Sequence, residues 1–169
     1  MDNNEYLIAR IGLIKLGVYC RDVENVYSDR IRLYRIFYQD GFLRGLTILN
    51  NSVMQVLDLR RRIGMEDRSL SEQVTLITFN TGFEKRLAVI VDEIIGMKLV
   101  ASDCIRKNDK FLNNRKANID LLFPMIAVLN DGCRRDSSQD DGLIYLLDAT
   151  YLEKHEPVVI EDSGELELF

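Results

Sequence analysis

The sequence has no tryptophan, two prolines, one histidine and three cysteines. Each scarcity removes a class of chemistry. A lone His155 leaves His-based catalytic triads and multi-histidine metal sites almost nothing to work with, and it reads as a solvated surface residue. Cys20, Cys104 and Cys133 are odd in number, far apart and in no CxxC frame, so they read as reduced thiols rather than a disulfide framework or a zinc site. No apolar run approaches the roughly 18 residues of a membrane span, and the start Met1-Asp2-Asn3-Asn4-Glu5 is acidic where a signal peptide would be basic. An excess of positive charge is also missing: 22 Lys and Arg stand against 27 Asp and Glu, for a formal net charge of -5, which argues against nucleic acid and polybasic membrane contacts. Glycine-rich phosphate loops and the GxSxG nucleophile elbow are absent, so no motif supports an enzyme.

What is present is 47% hydrophobic residue content spread over 169 residues, enough for one domain or two small fused lobes. The net charge sits in one place. Glu156, Glu161, Asp162, Glu165 and Glu167 lie after the last basic residue, Lys154, and without these five the remaining acidic residues balance the 22 basic ones. The chain is therefore expected to divide into a charge-balanced domain over 5–155 and an acidic, flexible tail over 156–169, with Pro157 at the change. Leu166, Leu168 and Phe169 between tail carboxylates also fit a linear motif for a sheet edge, although solubility is the preferred reading of the tail.

Within the domain, short runs rich in Val, Ile, Leu, Tyr and Phe are separated by turn residues, and sustained 3.6-residue periodicity is missing. This is the pattern of small all-β barrels. Strands are expected at 6–11, 13–20, 32–37, 43–49, 53–57, 74–80, 85–91, 97–100, 124–129 and 143–147. Asn50-Asn51 falls where a two-residue type I′ hairpin turn belongs, because Asn tolerates positive φ. The polar stretches 106–120 and 131–142 are too hydrophilic for core, and the second is long for a connection.

Two pairs of segments recur in the same order. Val53-Met54-Gln55-Val56-Leu57-Asp58-Leu59 is echoed by Leu143-Ile144-Tyr145-Leu146-Leu147-Asp148-Ala149, each a strand ending in Leu-Asp and entering a helical stretch. Asp58 and Asp148 then serve as N-caps, with Gly64 stopping the first helix. Leu16-Gly17-Val18-Tyr19-Cys20-Arg21-Asp22-Val23 likewise aligns with Leu87-Ala88-Val89-Ile90-Val91-Asp92-Glu93-Ile94. Two similar lobes account for both pairs.

Residue by residue, bland readings compete with functional ones. Gly45 is either a strand glycine or a point of close approach for another backbone or a partner, and the second is preferred. Arg60-Arg61-Arg62 fits an acidic partner or a solvated face paired to Glu66 and Asp67. Asp92-Glu93 reads as a solvated turn. Val23 and Val26, three apart on a presumed helical turn, are partly core, with Asn25 between them as a rim contact. Tyr27, Tyr34, Phe37, Tyr38 and Phe42 are mostly core, with one or two as interface anchors.

These residues resemble the CheW-type coupling proteins of bacterial chemotaxis over about 6–154. The resemblance rests on four stretches in order: Leu16 to Val26; Gly45-Leu46-Thr47-Ile48-Leu49 running into Asp58-Leu59-Arg60; Leu76-Ile77-Thr78-Phe79 with Leu87 to Gly96; and Ile144 to Leu152. It implies two five-stranded SH3-like β-barrel lobes side by side. It also implies a non-catalytic adaptor without cofactor or metal, cytoplasmic and located at membrane-associated chemoreceptor arrays. Its partners would be the regulatory domain of the histidine kinase CheA and the cytoplasmic tip of methyl-accepting chemoreceptors, with rings of CheW-like proteins also allowed. The implied partner-binding set is Val23, Asn25, Val26, Gly45, Asn50, Asn51, Arg60, Ala88, Asp92 and Gly96. Where the family usually has Asn-Leu-Arg-Gly this chain has Ile48-Leu49-Asn50-Asn51, and a usual Pro is Gln55, so a divergent member with altered contacts is expected. The competing reading from another class is a small-ligand-binding β-barrel sensor with a metabolite between its lobes.

Overall fold

The computed structural model describes residues 3–34, 43–60, 63–66, 73–80, 86–108, 122–129 and 142–154. Within them lie strands β1 (Asn3–Ile11), β2 (Ile14–Tyr19), β3 (Val23–Arg30), β4 (Leu43–Leu49), β5 (Ser52–Leu57), β6 (Gln73–Phe79), β7 (Leu87–Val91), β8 (Glu93–Ala101), β9 (Ile105–Lys107), β10 (Met125–Val128) and β11 (Leu143–Leu146), and helix α1 (Ala149–Lys154). The strands form two mixed sheets, ordered β8-β1-β2-β11-β10-β9 and β3-β6-β7-β5-β4. The fold is all-β and two-lobed, as expected, with the short β9 as a sixth strand on the first sheet.

Each sheet is apolar on both faces, which is why its central strands read as nearly continuous apolar runs. Leu87, Val89 and Val91 of β7 enter a core shared with Leu7, Ala9, Ile11, Leu16 and Val18 of the other sheet, while Ala88 and Ile90 point into the second lobe beside Val56 and Leu76. On the first sheet, Ile8, Ile144 and Leu146 fill the first lobe with Val100, Cys104 and Ala127. At roughly 1.5–3 kcal/mol per fully buried aliphatic side chain, the shared core is the main bond between the lobes.

The two recurring segment pairs hold in register. β11 runs parallel to β2, with Tyr145 opposite Leu16, and β5 runs parallel to β7, with Gln55 opposite Leu87. Leu16 therefore corresponds to Leu87, Tyr145 to Gln55 and Asp148 to Asp58. The strand after each hairpin then crosses to the other sheet: β3 leaves β2 to pair with β6, and β8 leaves β7 to pair with β1. Val23 lies opposite Phe79 and Val26 opposite Ile77, just as Ile94 lies opposite Ala9 and Met97 opposite Leu7. A register shift follows Val23 in β3 and Ile94 in β8.

Several local expectations also hold. Asn50 and Asn51 have φ of 49° and 58° and close the β4–β5 hairpin. Asp148 caps α1, accepting from the Thr150 amide at 2.9 Å, and Asp58 accepts from the Arg60 amide at 3.1 Å. Ile63 N–H donates to the Leu59 carbonyl at 3.1 Å, one helical turn that ends at Gly64 with φ 73°. Others need correction. β3 and β9 occupy segments where no strand is expected, and of 32–37 the described part contributes only a bridge, Tyr34 to Leu46. Cys20 is free, but Cys104 is disulfide-bonded and not a reduced thiol, a tertiary meeting that sequence spacing does not report. His155, Cys133, the stretch 131–141 and the tail 156–169 lie outside the described residues.

Candidate functional site

The residues implied as partner contacts fall into three groups. Asn25, Asn50 and Asn51 are exposed. Asn25 accepts from the Val26 amide at 2.8 Å, and Asn50 Nδ2 donates to the Tyr27 hydroxyl at 2.7 Å, which ties the hairpin tip to β3. Val23, Val26 and Gly96 are half-buried. Val23 and Val26 pack on the shared core from a strand, not from a helical turn. The bulge at Glu24 turns residues three apart onto one face, which imitates helical spacing in the sequence. Gly96, with φ 148°, has open space around it on β8.

The third group is internal. Ala88 is fully buried on β7 and cannot meet a partner. Gly45 is buried, and a Cβ there would strike the carbonyl oxygen of Tyr34, so the close backbone approach belongs to the chain itself. Tyr34 N–H donates to Leu46 O at 2.7 Å and Leu46 N–H to Tyr34 O at 2.8 Å across that approach.

Arg60 is the largest correction. It is 4% exposed, not on a solvated face. Its Nη1 donates to Asp58 Oδ1 at 3.2 Å and its Nη2 to Asp92 Oδ1. The other Asp92 oxygen accepts the Gly12 amide at 2.6 Å, and the Asp92 amide donates to the Arg10 carbonyl at 2.8 Å. Asp92 is thus no solvated turn but a junction between the β1–β2 turn, the end of β5 and the crossing from β7 to β8. A buried guanidinium is tolerable only with such partners, since an unpaired charge there would be very costly. Arg61, Arg62 and Asp67 lie outside the described residues.

The exposed apolar side chains lie elsewhere. Ile95, Met97 and Leu99 form a row along β8, an edge strand, with Met97 70% exposed. On β3, the structural counterpart, the matching positions are Glu24, Val26 and Ser28. The fold therefore does not require an apolar row at an edge. Ile48 and Val53, directly opposite each other on the β4–β5 hairpin, form a second patch, and Tyr34, beside the Arg32 guanidinium, is exposed at the same sheet edge. Phe37, Tyr38 and Phe42 lie outside the described residues, and Tyr27 packs against the second-lobe core. The β8 row was visible in the sequence as apolar residues two apart, but the same alternation marks a buried face. Neither chemistry nor spacing tells the two apart.

Ionisable groups beside the crossover from β2 to β3 are perturbed, among them Asp22 and Tyr6. Burial, and then the Asp148 carboxylate, push Asp22 above the usual carboxylate range, while Arg21 pulls it back. Burial, Tyr19 and Asp22 raise Tyr6, whose ring lies 5.4 Å from that of Tyr19.

Among solved structures, the chain is similar to the scaffolding protein TtCheW from Thermoanaerobacter tengcongensis, at 18% identity and a TM-score of 0.67, covering 87% of this chain and 90% of that one. That likeness establishes the two-lobed fold. No curated protein matches the chain. No helix among the described residues is long and apolar enough to cross a membrane. The family model described as CheW-like domain matches residues 5–123, well over half of the sequence. The chain therefore belongs to the CheW-like domain family, whose members are non-catalytic scaffolds of chemotaxis signalling.

Proposed function

We propose that this protein is an adaptor that couples methyl-accepting chemoreceptors to the histidine kinase CheA at chemoreceptor arrays, docking them through two separate sheet edges. In this reading the domain runs over 5–155 with the acidic tail beyond it, and β10, β11 and α1 support that extent because β10 and β11 belong to the first sheet. The carrying observation is the exposed row Ile95, Met97 and Leu99 on β8, because its counterpart on β3 does without one. Exposed apolar rows at a polar rim are where binding energy concentrates. The Ile48–Val53 patch supplies the second surface that an adaptor needs, on the other sheet. The small-ligand reading has less support, since the space between the sheets is filled by the shared aliphatic core.

Calorimetric titration against the CheA regulatory domain and a receptor-tip fragment tests this. Micromolar or tighter binding to both is expected. Met97→Glu should weaken one partner about tenfold and Ile48→Glu the other, each sparing the second interaction. Binding to neither fragment, or titrations that neither variant changes, would overturn the proposal.

A further inference from the structure

We infer that Arg60 is a two-position bridge that couples the two docking edges, so that a partner on one edge changes the affinity of the other. The inference rests on the two-edge reading above. β5 begins at the hairpin that carries Ile48 and Val53 and runs into Asp58 and Arg60, while β8, with Ile95, Met97 and Leu99, begins one residue after Asp92. The Arg60 guanidinium spans these two points, with Nη1 on Asp58 and Nη2 on Asp92.

The second arrangement is written into Asp58. Its Oδ1 accepts from both the amide and the guanidinium of Arg60, yet its Oδ2 is buried without a hydrogen-bond partner. A guanidinium fork matches both oxygens of a carboxylate. Turned wholly onto Asp58, Arg60 would satisfy Oδ2 and let go of Asp92, which would keep its bonds to the Gly12 amide and the Arg10 carbonyl but lose its tie to the end of β5. Bridged and released forms are discrete states of a packed site, and a partner that presses on either edge favours one of them.

Nothing in the fold demands the bridge. At the corresponding place on the first sheet, Thr150 stands where Arg60 does and Arg21 where Asp92 does. The Thr150 hydroxyl and amide both bond Asp148, at 2.6 and 2.9 Å, and the sheet closes in the same register. The guanidinium spanning Asp58 and Asp92 has no equivalent at Thr150, and it stands on the side where β5 enters from the apolar hairpin.

The test is a thermodynamic cycle on the full chain: each fragment is titrated alone and with the other saturating. In the wild type, each affinity should change about fivefold or more when the other site is filled, by the same factor in both directions. Asp92→Asn keeps an acceptor for the Gly12 amide but removes the charge, and Arg60→Lys keeps the charge but removes the fork. With melting curves showing both variants folded, each should bind single fragments within about twofold of wild type and show a coupling factor near one. Wild-type binding without coupling, or full coupling retained in either folded variant, would overturn the inference. Failure of the wild type to bind either fragment would instead overturn the adaptor reading beneath it.

Discussion

The two sheets are built on one plan and differ where one of them carries something extra. Their hairpins, parallel closures and crossover strands correspond residue for residue, including the register shift after Val23 and after Ile94. What the plan needs, it has twice: a carboxylate after the closing strand, a filled lobe, a bulged edge strand. What occurs once among the described residues is a buried cation at Arg60 and an apolar row on β8. Features present on both sides are explained by folding, and those present on one side need another reason.

The largest expected break in the comparison comes from Arg60→Met. It leaves Asp58 buried without its cation and should cost about 3–5 kcal/mol in urea unfolding, whereas Thr150→Ala at the corresponding position should cost about 0.5 kcal/mol. Equal losses would mean that the two sites are the same kind of cap. Next come the two edge glycines of positive φ. Gly45→Ala adds a clash with Tyr34 to backbone strain and should destabilise by roughly 3 kcal/mol, while Gly96→Ala, in open space, should show the strain alone, about 1–2 kcal/mol. Thermal melts of both variants check the order, and a larger loss at Gly96 would reverse the assignment of Gly45 as an internal contact.

The smallest effect concerns pH. Asp22, raised by burial and by Asp148, holds its proton more tightly in the folded state than in the unfolded chain. Such a group favours folding below the ordinary carboxylate range and loses that advantage as pH rises through its folded pKa. Asp22→Asn should therefore stabilise the protein at pH 7 by a few tenths of a kcal/mol, since the site is well exposed to screening, and the gain should vanish near pH 3. Chemical melts at both pH values decide it. A gain that persists at low pH would point to packing and not to charge.

Much of this plan was legible in the sequence, and the limits have physical causes. The paired segments gave the correct register because strands with two apolar faces leave long, recognisable runs. β3 escaped because Glu24, Asn25, Ser28 and Arg30 break the alternation and a bulge shifts its phase. Arg60 looked like part of a solvated charge run because its partner Asp92 lies on a distant strand, and no local pattern reports a tertiary ion pair. Gly45 carried a true signal, a close backbone approach, but the approaching backbone was its own. The β8 row gave only a strand expectation over 97–100, since alternation shows that a face is apolar without showing what covers it.

The crossing of β3 and β8 also bears on how the chain is made. As it emerges from the ribosome, the first hairpin has only half of its neighbours: β8 arrives late, and Gly17 must wait for Leu146. The second sheet draws its strands from one contiguous stretch, β3 to β7, but the first joins β1 and β2 to β8–β11, so its closure must follow the release of nearly the whole domain. Non-local pairing of this kind is slow. Until β11 docks, the apolar faces of β1 and β2 stand open, and the nascent chain depends on chaperones or on speed of synthesis to keep them from other chains.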